Sequence, residues 1–205
     1  MRVFTFFAPV ENKDQAEELA LIELWKTSWA AQGWEPIVLG PSNLDENETT
    51  KRLVCHFGRL PTQNRRGLDL WCYVRWLAVA QQGGGFMSDY DVINYHFQPR
   101  EVGALTTYDR WIPCLVSGTA QEFLRTVEWF AREPVSFLSF FRKAHTSDML
   151  ILQRRQSEFV QLRECVEFEV EGWETAAAVH YSNRGMKKQG LMPRHLGIQK
   201  VRSVG

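Results

Sequence analysis

The sequence predicts an α/β fold around a mostly parallel sheet. Two observations carry that prediction. The chain opens as strand, helix, strand, the unit that lays two parallel strands side by side. A second helix then runs into a glycine cluster and a further apolar strand. With 205 residues the chain fits one domain with a core of its own.

Taken in order, Arg2 to Phe7 is a short apolar run ended by Ala8-Pro9, and reads as a buried strand. From Asp14 to Ala31, Leu19, Ile22, Trp25 and Trp29 recur at helical spacing, with Glu17, Glu18 and Lys26 left to face water. Gly33 stops that helix, and Trp34 to Leu39 is the second strand, closed by Gly40-Pro41. Ser42 to Thr50 is polar and reads as a surface loop, and Asn64-Arg65-Arg66-Gly67 as a turn. Leu68 to Gln82 is a helix with Leu70, Tyr73, Val74, Leu77 and Val79 as inward positions, ended by Gly83-Gly84-Gly85.

Phe86-Met87-Ser88 enters a strand that delivers Asp89-Tyr90-Asp91. Val102 to Thr107 and Ile112 to Val116 read as short strands, and Thr119 to Arg132 as a helix capped by Ser117 or Thr119. Pro134 to Phe141 has no decisive period. Asp148 to Gln161 begins like a helix with an Asp cap, although Ile151-Leu152 also suits a strand. Val166 to Val170 and Ala176 to Tyr181 are late strands, followed by the loop Ser182 to Gly185. The basic tail from Lys187 onward is expected to stay mobile until a ligand arrives.

Composition removes several function classes. Lysine plus arginine equals aspartate plus glutamate, 24 each, so no basic excess marks a nucleic-acid partner. The four cysteines, Cys55, Cys72, Cys114 and Cys165, have no CxxC spacing, and read as reduced buried thiols rather than a zinc site or a disulfide framework. The apolar start is short, meets Glu11, Lys13 and Asp14, and lacks a cleavage pattern, so it reads as a strand and not a leader. No stretch reaches the roughly 20 apolar residues of a membrane span. The expectation is a soluble, cytoplasmic protein. There is no GxSxG elbow and no GxxxxGK[ST] phosphate loop, and Gly83-Gly84-Gly85 lacks the GxGxxG pattern.

The segment richest in chemistry is Gly84-Gly85-Phe86-Met87-Ser88-Asp89-Tyr90-Asp91. Carboxylates at i and i+2 of an extended segment share a face, so Asp89 and Asp91 can approach one cation. A hard divalent ion takes oxygen ligands and bridges phosphate oxygens. It then neutralises charge on a departing diphosphate.

In this segment the chain resembles the sugar-binding DXD glycosyltransferases, the group that includes initiating mannosyltransferases and capsular polysaccharide sugar transferases. The resemblance rests on Arg75-Trp76, Leu77, Gly84-Gly85, Phe86 and Asp89-x-Asp91, and covers roughly residues 69–94. Two departures stand out. Cys72 occupies the position where the family places an Asp, with Asp69 a turn further back, and the third glycine lengthens the approach to the motif.

The resemblance implies a GT-A fold, a single-domain α/β/α sandwich. Residues 1–95 would form the nucleotide-binding half and 96–205 the acceptor and donor-sugar half. It implies Mn²⁺ or Mg²⁺, a UDP- or GDP-sugar donor, a glycan or glycoconjugate acceptor, and transfer with retention. Phe7, Ala8 and Pro9, at the end of the first strand, would lie beside the nucleoside, in line with ligand binding beyond strand carboxyl ends. Arg75, Tyr90 and Gly118 would border the donor. His180, Gly185 and Lys187 match a late His, Gly, Lys order that completes the metal shell and reaches the diphosphate, with Lys188 the alternative to Lys187. Asp148 is either a helix cap or a carboxylate near the donor sugar, where it could act as general base. Two other readings stay open: a non-catalytic nucleotide-sugar-binding module, and a metal-dependent nucleotidyl or phosphoryl transferase.

Overall fold

The computed structural model describes residues 1–11, 14–64, 67–110, 112–135, 145–169 and 172–204. Strand β1 (Arg2–Phe6) leads into helix α1 (Gln15–Ala30), and the chain returns as β2 (Glu35–Leu39), parallel to β1 from Arg2↔Glu35 to Phe6↔Leu39. Asp14 caps α1, accepting from the amides of Ala16 and Glu17. Helices α2 (Glu48–Phe57) and α3 (Leu68–Gln81) precede β3 (Gly84–Ser88), which lies parallel to β1 on its other side. After β4 (Val92–Asn94) come β5 (Thr106–Thr107), β6 (Leu115–Thr119) and α4 (Ala120–Ala131), the last capped by Thr119. Helix α5 (Asp148–Arg154), strands β7 (Val160–Gln161), β8 (Cys165–Glu167) and β9 (Ala178–His180), and helices α6 (Asn183–Lys188) and α7 (Arg194–Val204) follow.

The main sheet has the order β2-β1-β3-β6-β5-β7, and three of its five pairings are parallel. This is the mixed α/β architecture with a mostly parallel sheet that the sequence predicts. Alternation along the strands feeds two cores. Phe4, Phe6, Met87 and Val116 face α2, α3 and α4, while Val3, Phe86 and Leu115 face Trp25, Trp29, Trp34 and Phe97.

The three tryptophans of the second core also carry polar handles. Trp25 Nε1 donates to Ser88 Oγ at 3.2 Å, Trp29 Nε1 to the Val92 carbonyl at 3.1 Å, and Trp34 Nε1 to the Phe97 carbonyl at 2.9 Å. Burying an indole with its N–H satisfied avoids the cost of an unpaired donor, about 1–3 kcal/mol. All three acceptors lie in the segment that carries Asp89-Tyr90-Asp91 or just beyond it, so the α1 core fixes that segment from behind.

A small second sheet, β4-β9-β8, holds the other half of the site. Val92 pairs with His180 across the antiparallel β4–β9 ladder, and Glu167 pairs with His180 across the parallel β8–β9 ladder.

Several expectations need correction. Residues 48–50 belong to α2, capped by Asn47, and not to a surface loop; its polar composition hid a helix with Phe57 buried against α3 and α4. Leu19 is exposed and Glu18 buried, the reverse of the periodic reading, because Glu18 has a distant cation to meet. The strand expected over 102–107 narrows to Thr106–Thr107, and the next begins at Leu115 rather than Ile112. Helix α5 is capped by Ser147 and ends at Arg154, short of Gln161. The segment 182–185 is the start of α6, with Ser182 as its cap, and the basic tail is a docked helix. The turn at 64–67, the stretch 134–141 and the end of the 166–170 strand fall partly outside the described residues.

Candidate metal centre and adjoining cavity

Asp89 sits one residue past the end of β3, at the carboxyl side of the parallel strands. Its amide donates to the Cys114 carbonyl at 2.8 Å, and the Val92 amide closes back on the Asp89 carbonyl at 3.0 Å. The Asp-Tyr-Asp triplet is therefore a tight turn between β3 and β4, not an extended segment. Its carboxylates converge because the chain reverses, a different reason from strand alternation.

Gly84 makes the approach to this turn possible. It has φ +78°, and a Cβ there would overlap the backbone of Thr119 and Ala120 where α4 begins. Glycine lets β3 start hard against the N-terminus of α4 and run the four residues to Ser88 in register with β6.

Asp89, Asp91 and His180 each present one ligand atom, and these atoms lie within 4.8 Å of one another. His180 Nε2 is 3.3 Å from Asp91 Oδ1. On the other side of the ring, Nδ1 meets Glu167 Oε1 at 3.0 Å, and Glu167 Oε2 accepts from Ser182 Oγ at 2.8 Å. The carboxylate behind the imidazole fixes the ring and favours a proton on Nδ1, which leaves Nε2 as the nitrogen facing Asp91. Two carboxylate oxygens and one such imidazole nitrogen form a donor set that could hold a metal ion.

Each aspartate is also held by a guanidinium. Arg75, from the middle of α3, donates Nη1 to Asp89 Oδ1 and Nη2 to Asp148 Oδ2 at 2.8 Å. Arg194, the first residue of α7, donates Nη1 to Asp91 Oδ2 at 2.6 Å and Nη2 to Glu18 Oε1 at 2.8 Å. Tyr90 donates its hydroxyl to the other oxygen of Glu18.

The electrostatics follow from this crowding. Burial pushes the Asp89 carboxyl up; Arg75 pulls it down and Asp91 adds to the rise, leaving it at about 6. Burial opposes a proton on His180, but the Cys114 sulfur and the Asp91 carboxylate beside it raise its pKa well above the ordinary value. Holding a cation through Nε2 requires that proton to leave.

A cavity of about 210 Å³ opens beside the triplet. Its lining combines the apolar Phe6, Val10, Leu68 and Trp71 with the charged Arg75, Asp89 and Asp91. Phe6 and Trp71 stack with ring centroids 5.9 Å apart. Ala8 and Tyr90 line the cavity, and Phe7 packs edge-on against Tyr90 at 6.2 Å.

Other expected site residues do not reach the cavity. Pro9 is exposed and is not part of its lining. Gly118 pairs with Gly85 near the start of β3, and a Cβ there would press on Glu122 and Leu105. Gly118 thus serves the packing of β6 under α4, several residues from Asp89. Lys187 is exposed on α6 and Lys188 pairs with Glu169 at 2.8 Å; neither lines the cavity. Asp148 is buried behind Arg75, also accepts from Trp76 Nε1 at 3.2 Å, and does not line the cavity. Its described side-chain partners there are Arg75 and Trp76. Cys72 does line the cavity, with its thiol kept protonated by burial.

A family model described as a domain of unknown function (DUF8765) matches residues 1–101. That span includes Arg75, Asp89 and Asp91, and stops before Glu167, His180 and Arg194. No curated protein matches the chain. Among solved structures, the fold is similar to the crystal structure of a glycosyltransferase involved in the glycosylation of the major capsid of PBCV-1. The two share 10% sequence identity with a TM-score of 0.50, over 92% of this chain and 97% of that one. At that identity the likeness is one of fold. It spans both the main sheet and the residues beyond the family match.

Sequence reasoning missed Glu167, Glu18 and Arg194. Glu167 lies in an alternating strand, where nothing marks it as paired with His180. Arg194 was one cation among several in a basic tail.

Proposed function

We propose that the protein is a glycosyltransferase of the DXD type that moves a sugar from a UDP- or GDP-sugar to a hydroxyl of a glycan or glycoconjugate. The observation that carries this reading is the convergence of Asp89, Asp91 and His180 beyond the carboxyl ends of β1 and β3, beside a cavity lined by both apolar and charged side chains. Open α/β sheets bind nucleotides at this end.

In this reading Asp89, Asp91 and His180 would hold Mn²⁺ or Mg²⁺, which would supply positive charge to the diphosphate leaving group. Glu167 orients His180, and Asp148 orients Arg75 so that its guanidinium fixes Asp89. The stacked Phe6–Trp71 face gives the nucleobase a flat apolar wall, and Ala8 keeps the end of β1 open to the nucleoside. Among the described residues that line the cavity, the carboxylates are Asp89 and Asp91. Transfer with retention is what the resemblance to the DXD glycosyltransferases implies.

The test is to incubate the protein with Mn²⁺ and a panel of UDP- and GDP-sugars and to follow nucleotide release. Release from one or two donors, abolished by EDTA and by Asp91→Ala, supports the reading. No release and no donor binding by calorimetry overturns it. Binding without release shifts the assignment to a non-catalytic nucleotide-sugar module.

A further inference from the structure

The two aspartates of the triplet are each matched by a guanidinium, one from α3 and one from α7. Arg194 is 5% exposed and sits among Asp91, Glu18 and Glu17. Its backbone amide donates to Glu17 Oε1 at 2.7 Å, so the start of α7 is pinned to the first turn of α1. Its fork takes Asp91 Oδ2, while Asp91 Oδ1 is the oxygen turned toward His180 Nε2.

We propose that Arg194 is a positioning and charge-balancing residue that keeps the divalent-cation affinity of the site low until a nucleoside diphosphate is present. This rests on the glycosyltransferase reading and adds to it how cation and donor load. The argument is electrostatic. A cation approaching Asp91 meets a fixed positive charge on the carboxylate's other oxygen, and a second on Asp89 from Arg75. The diphosphate brings the negative charge that the two arginines have neutralised, so cation and diphosphate strengthen each other's binding by the same factor. Glu18 acts in the opposite sense, because it shares the Arg194 charge.

That opposition gives a test in which a merely structural role fails. The measurement is Mn²⁺ binding, by titration with detection of free Mn²⁺ by electron paramagnetic resonance, with and without UDP or GDP. For the unaltered protein the expected result is weak binding of Mn²⁺ alone, tightened roughly tenfold or more by one nucleotide, a coupling of ordinary size. Arg194→Gln should tighten Mn²⁺ binding without nucleotide by about fivefold or more and shrink the nucleotide effect, as expected for removal of a nearby charge. Glu18→Gln, close in shape, should weaken Mn²⁺ binding without nucleotide. Arg194→Lys, which keeps the charge, should stay near the unaltered value.

Weakened binding in both Arg194→Gln and Glu18→Gln would mean that Arg194 only holds the fold, and overturns the proposal. So does tight binding of Mn²⁺ alone by the unaltered protein; both results leave the glycosyltransferase reading standing. No Mn²⁺ binding with either nucleotide overturns that reading and this inference with it. Circular dichroism melts of each variant identify a protein that has failed to fold, and Glu18→Gln against Arg194→Lys then carries the comparison.

Discussion

Asp148 stands directly behind Arg75: its Oδ2 accepts from Arg75 Nη2 at 2.8 Å, and Arg75 Nη1 reaches forward to Asp89. The same oxygen accepts from the neighbouring Trp76 at 3.2 Å, so one carboxylate sets two consecutive side chains of α3. Both partners of the pair are largely buried, at 11% and 6% side-chain exposure. Removing Asp148 leaves Arg75 with Asp89 as a carboxylate partner but takes this acceptor away from Arg75 Nη2 and Trp76 Nε1. Asp148→Ala should therefore cost about 1–3 kcal/mol of stability. Urea denaturation checks the cost, and loss of nucleotide release in the folded fraction checks the link to Arg75.

Asp91→Ala should abolish cation-dependent nucleotide release while leaving the fold. Loss of a cation's charge stabilisation is worth several kcal/mol, so the fall should be about two orders of magnitude or more. Release at the unaltered rate would remove Asp91 from the centre.

Glu167 and Ser182 are joined but should behave differently. Glu167→Gln loses the charged partner of His180 Nδ1 and should weaken cation binding by about 10- to 100-fold. Ser182 also caps the amide of Gly185. Ser182→Ala should cost roughly 1 kcal/mol of stability through the lost cap and change cation affinity less. Calorimetric titration and thermal melts separate the two.

The raised Asp89 pKa makes a signed statement about stability in EDTA. Its ordinary value is 3.8 and it stands at about 6 in the folded protein. Between those values the folded state holds the proton and the unfolded state does not. The Asp89 contribution is therefore largest below pH 3.8 and is lost as pH rises through about 6. Asp89→Asn should flatten that part of the stability profile. An unchanged profile would show that Asp89 titrates normally.

The sheet and the triplet were legible because their signals are local. The strand–helix–strand opening, the stops at Gly33 and Gly83, and the convergence of carboxylates two apart all come from neighbouring residues. The surroundings of the site were not legible, because the pairs that build them are distant. Glu18 falls on the polar side of the α1 pattern only while Arg194, 176 residues away, is left out. Periodicity registers the polarity of a side chain and not the partner that makes burial affordable. Helix α2 escaped for a related reason: its inward positions are few, and its stability comes from Phe57 against Tyr73 and Phe130. The strand β4 has three residues and no pattern of its own; it is defined by its pairing with β9.

The docking of Arg194 against Glu18 also sets an order in time. During synthesis, α1, β1, β2 and β3 emerge long before α7, yet Glu18 and Asp91 gain this guanidinium partner only when residue 194 has left the ribosome. Domain assembly follows the chain from its N-terminus, so the corner around Asp91 is closed only after the strands that place Asp91 have emerged.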